Sequence, residues 1–81
     1  MTFTFAQKCV LDELRTAGSR AGEFLPTYAL WWWNCAAGAG RRQAFMSLFR
    51  KGIVERVQVG PQQWEWKLTP AGAQAIAEPL P

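Results

Sequence analysis

From Leu48 to Gly72 the chain reads LFRKGIVERVQVGPQQWEWKLTPAG, and this order of signals leaves few folds open. Leu48 and Phe49 close an apolar helical face. Arg50 and Lys51 fall in its last turn, where the negative end of the helix dipole favours cations. Gly52 follows at the position where a left-handed residue commonly ends a helix. Ile53 to Val59 is rich in β-branched residues, Gly60-Pro61-Gln62-Gln63 has turn chemistry, and Trp64 to Leu68 alternates apolar with polar residues. Thr69 then caps a new helix, and Pro70 opens it where a missing N–H costs nothing. Helix, glycine stop, hairpin and Thr-Pro restart therefore follow one another without a gap.

Upstream, Thr4-Phe5-Ala6-Gln7 matches a capping box, in which the Thr and Gln side chains satisfy the first free amides of a helix. Ala6, Val10, Leu14 and Ala17 recur at helical spacing, Leu11 widens the stripe, and Gly18 ends it. Ser19 to Leu25 is a connector, with a short strand expected around Glu23-Phe24-Leu25. Pro26 is expected as the first residue of a second helix that runs to about Cys35. Ala36-Ala37-Gly38-Ala39-Gly40 breaks it, and a third helix runs from Gly40 or Arg41 to Lys51. Two helices joined by a turn of small residues make a helix-turn-helix element. The final helix runs from Pro70 to about Glu78, with Pro79 stopping it. Residues 1–3 and 79–81 are expected to fray.

This succession resembles a winged helix-turn-helix domain. It is similar to multidrug-resistance-type repressors, which carry L-x-x-x-G-[IL]-V-x-R followed by aromatic-x-L-T-x-x-G. Here the pattern stands as Leu48, Gly52, Ile53, Val54 and Arg56, then Trp66, Leu68, Thr69 and Gly72. The resemblance covers Phe5 to Ile76 and is strongest in the second half. It implies one α+β domain over residues 1–81, with a three-helix core, a C-terminal β-hairpin wing and a short closing helix. It also implies a small transcriptional regulator that binds double-stranded DNA with its third helix in the major groove. Gln43, Ser47 and Arg50 would then read bases, while Arg41, Arg42 and Lys51 hold the backbone.

The residues themselves give partial support. With Leu48 inward, Ala44, Phe45, Leu48 and Phe49 share one face of the third helix, and Gln43, Met46, Ser47 and Arg50 lie opposite, with Arg42 on the flank. Gln can bond adenine, Arg can bond guanine, and Ser can bond either bases or phosphate. Arg41 and Arg42 oppose the helix dipole in the first turn, which is unfavourable unless an anion lies near. Arg41 also points partly inward, so it either packs its stem on the core or pairs with a carboxylate. A solvated or protein-binding helix face has similar composition. The wing tip has no Lys or Arg, unlike wings that enter the minor groove. Gln62 and Gln63 could still reach phosphates or base edges, and Arg56 and Lys67 are the nearest basic residues.

Trp31, Trp32 and Trp33 are consecutive and sweep roughly 200° of an α-helix. At least one indole is expected on the surface or against a partner, and Tyr28 and Leu25 extend the patch. The rival reading is therefore a winged helix used as a protein-interaction module, or a homodimer, through this Trp-rich helix. On the last strand Trp64 and Trp66 share a face.

Other chemistry is poorly provided for. The 81 residues carry a net charge of +3, which permits nucleic acid without requiring it. With no histidine, a single aspartate and no clustered carboxylates, neither an enzyme nor a metal site is expected, and no cofactor is implied. Cys9 and Cys35 are expected as free thiols in a reducing cytoplasm. No signal peptide is recognisable, and the apolar stretch Phe24 to Ala39 is too short to span a membrane.

Overall fold

The computed structural model describes residues 2–35 and 38–77, except for the side chains of residues 27–29 and 34. Among the described residues, three α-helices, a 3-10 helix and a two-stranded antiparallel hairpin make an α+β fold. In order these are α1 (Phe5–Thr16), the 3-10 helix (Thr27–Asn34), α2 (Ala39–Arg50), β1 (Val54–Gly60), β2 (Gln63–Leu68) and α3 (Pro70–Ala77). The expected break at Ala36-Ala37, the helix end at Glu78-Pro79 and the terminal residues 1 and 79–81 lie outside the described residues.

The capping box forms: the Gln7 N–H donates to Thr4 Oγ1 at 3.2 Å, and the Thr4 N–H donates to Gln7 Oε1 at 2.8 Å. Below it α1 buries Val10, Leu11 and Leu14 on one stripe. The expected strand at Glu23-Phe24-Leu25 is reduced to isolated bridges, Ala21 to Leu68 and Phe24 to Lys67. Even so, the Gly22 and Leu25 N–H groups donate to the Leu68 and Trp66 carbonyls, each at 2.8 Å, and tie the connector to the edge of β2.

The second helix departs from expectation. Pro26 stays extended (φ −63°, ψ 139°) as the cap, and the helix after it is 3-10, broken at Leu30 (φ −111°, ψ 25°). A 3-10 helix turns about 120° per residue and rises about 2 Å, so three adjacent indoles stand further apart than in an α-helix. Trp32 is buried and Trp33 half-buried against the core, while Trp31 is exposed.

At the end of α2, Gly52 has φ +81°, the conformation expected of it, and the Ile53 N–H returns to the Leu48 carbonyl at 3.0 Å. The hairpin pairs Val54 with Leu68, Arg56 with Trp66 and Gln58 with Trp64, then shifts register before Gly60 meets Gln63. Thr69 caps α3 by accepting the Gly72 N–H at 3.0 Å, and its own N–H donates to the Ile53 carbonyl at 3.1 Å. Thus α3 is pinned to the start of β1, and Ile76 closes the core over α1. Among the described residues, no helix is long and apolar enough to cross a membrane.

Candidate functional site

The outward face of α2 is set by what its other faces must bury. Ala44, Phe45 and Leu48 point into the core. One flank meets α1 and the other meets the 3-10 helix and hairpin, which leaves Gln43 and Arg50 exposed with Met46 half-buried between them. Lys51 follows at the exposed C-cap, where its charge complements the helix dipole.

Ser47, expected on this outer face, is instead turned toward α1. It accepts a hydrogen bond from Gln7 Nε2 at 2.7 Å and donates to the Ala44 carbonyl at 2.7 Å. Gln7 occupies a position on the apolar stripe of α1 and is 5% exposed, so its amide needs a partner inside the protein. The capping box uses only Oε1 of Gln7, so its Nε2 on the apolar stripe was the sequence signal for the contact, since helical projection alone placed Ser47 outward.

Arg41 pairs with a carboxylate, one of the two alternatives its angle left open: its Nη1 lies 2.7 Å from Glu13 Oε1. Arg42 folds back onto the 3-10 helix. Its guanidinium lies 5.6 Å from the centre of the Trp33 ring and donates to the Trp33 carbonyl. Neither side chain projects from the first turn of α2 as a backbone-holding cation would. Glu13, which the sequence did not single out, is the organiser here, because its other oxygen accepts the Trp32 indole N–H at 2.6 Å.

Arg56 lies on the face of the hairpin that turns toward α2. Its guanidinium carbon is 5.7 Å from the Phe49 ring centre and 4.6 Å from that of Trp64. Arg50, Lys51 and Arg56 have no carboxylate partner among the described residues, where the ion pairs are Asp12–Arg15 and Glu13–Arg41. Gln62 and Gln63 are exposed at the hairpin turn. Lys67 is on the other face of the strand, its ammonium 4.6 Å from the Phe24 ring centre.

The tryptophan triplet divides sharply. Trp31 is 62% exposed, whereas Trp32 is 1% exposed and belongs to the core, which corrects the expectation that it lines an interface. Trp33 is half-buried, edge-on to Phe45 and tilted against Trp66 at 6.1 Å, so most of its ring is also spent on packing. The Tyr28 side chain lies outside the described residues, and Leu25, expected to extend the patch, is buried in the core instead. Trp66 joins the core through Phe45 and Phe49, with ring centres 4.8 and 5.4 Å away, while Trp64 is 48% exposed.

No protein-family model matches this chain, and no curated protein or solved structure matches it either.

Proposed function

We propose that the chain is a winged helix-turn-helix domain that binds double-stranded DNA, with α2 in the major groove and the hairpin as its wing. The observation that carries this reading is the outer face of α2. Gln43 and Arg50 are exposed there, and Lys51 and Arg56 lie beside it without carboxylate partners among the described residues. Gln43 and Arg50 have the chemistry to read adenine and guanine edges, and Lys51 and Arg56 the charge to hold phosphates. Gln62 and Gln63 add neutral donors at the wing tip.

The grip is modest. With Arg41 and Arg42 engaged internally and Arg50 turned to a base edge, Lys51 and Arg56 remain for phosphates, which gives a salt slope of about −1.8. Such a domain fits a small transcriptional regulator, non-enzymatic and housed with DNA in the cytoplasm.

An amide NMR titration with a mixed-sequence duplex at low and moderate salt tests this. Signals of Gln43, Met46, Arg50, Lys51 and the hairpin are expected to move, and to move less as salt rises. If they stay still at low salt while the 3-10 helix broadens with protein concentration, the DNA reading fails. The second reading then stands: a protein-interaction module or homodimer built on the exposed Trp31 indole.

A further inference from the structure

Arg56 is held differently from the other arginines whose contacts are described. Arg15 and Arg41 lie against carboxylates, and Arg42 donates into a backbone carbonyl. The described side-chain contacts of Arg56 are with ring faces alone, Phe49 from the last turn of α2 and Trp64 diagonally across the hairpin. A cation–π contact needs no hydrogen-bond acceptor, so these rings hold the group without consuming the N–H donors that would fork onto a phosphate. Alternation along the strands sends Glu55 and Glu65 to the opposite face, so neither carboxylate competes for those donors. Arg56 itself is exposed, and the register puts it mid-strand beside α2 rather than at the wing tip.

We propose that Phe49 and Trp64 form an aromatic clamp that holds the Arg56 guanidinium ready for a DNA phosphate at the edge of the groove that α2 enters. The proposal rests on the duplex-binding reading and adds to it positioning residues that carry no charge themselves. An arginine on a flexible stem loses much side-chain freedom when it binds, and an arginine already held by rings has lost it beforehand. The uncharged wing tip fits this arrangement, because the basic contact of the hairpin has moved back along the strand to a place where rings can support it.

The test is duplex binding by fluorescence anisotropy over a salt series, on two unrelated duplexes, for the wild type, Arg56→Gln and Trp64→Leu. Thermal melting checks that each variant is folded. Arg56→Gln is expected to weaken binding about equally on both duplexes and to make the salt slope shallower by about 0.9. Trp64→Leu keeps the charge, so its slope should match the wild type while affinity falls about three- to tenfold at every salt concentration. Should Arg56→Gln retain the wild-type slope, Arg56 does not touch phosphate and the proposal is overturned. It is also overturned if the loss is confined to one duplex, which marks a base contact, or if Trp64→Leu binds like the wild type, which means the rings position nothing. A wild-type protein that ignores both duplexes at low salt instead removes the DNA reading beneath it.

Discussion

A β-carbon on Gly72 would stand 2.1 Å from the Ile53 carbonyl oxygen and 2.6 Å from Leu68 Cδ1. The first turn of α3 thus rests on the backbone at the start of β1, with no room for a methyl group. Two effects oppose each other in Gly72→Ala. Alanine is a better helix former by about 1 kcal/mol, whereas overpacking against a backbone carbonyl costs typically about 1–3 kcal/mol. The carbonyl cannot rotate away, because it accepts the Thr69 N–H that anchors the helix. Because that neighbour is backbone, the overpacking cost falls at the upper end of its range, and the expected net loss is about 2 kcal/mol, a drop in Tm of roughly 8–16 °C for a domain of this size. Calorimetry on the variant checks this, and an unchanged or raised Tm would show that α3 is not seated as described.

At the scale of elements, the hairpin turn carries a local conflict. Pro61 suits the first central position of a turn, but Gln62 after it is held at φ +61°, where non-glycine residues are disfavoured. Gln62→Gly is expected to stabilise the protein by about 0.5–1 kcal/mol, with Tm rising a few degrees. A fall in Tm would mean that the Gln62 side chain does something that offsets the strain. Elements whose ends are marked by local chemistry were legible in the sequence: the Thr4-Gln7 box, the Gly52 stop and the Thr69-Pro70 restart each concern neighbouring residues. The 3-10 helix was not legible, because eight residues with three adjacent indoles show no period that separates 100° from 120° per residue. Its pitch is fixed by distant partners, Glu13 for Trp32 and Trp66 for Trp33. The candidate site divides in the same way. Exposure of Gln43 and Arg50 and the partly inward angle of Arg41 follow from helical projection, but the carboxylate that Arg41 meets and the inward turns of Arg42 and Ser47 depend on Glu13, Trp33 and Gln7, none of them near in sequence.

For the whole molecule, size limits what one copy would read under the duplex-binding proposal. The twelve residues of α2 span about 18 Å, roughly five base pairs, whereas half-sites on one face of DNA recur about every 34 Å. The body measures 40 × 29 × 21 Å, so copies bound one turn apart would lie close enough to touch. Trp31, the exposed indole of the 3-10 helix, is the group best suited to such a contact, since an exposed indole has most to gain from burial. The two surfaces should then separate by mutation. Binding to a duplex of about one turn should be unaffected by Trp31→Gln, within about twofold, because no part of α2's outer face changes. On a duplex of about two turns the wild type should bind cooperatively, and Trp31→Gln should bring each site back to its single-turn affinity. Arg50→Gln should do the opposite, weakening both duplexes while leaving the cooperativity intact. Anisotropy titrations on the two lengths, with sedimentation to count bound copies, decide the matter. If the wild type binds the longer duplex no more tightly per site than the shorter, adjacent copies do not meet through Trp31, and the indole must serve some other partner.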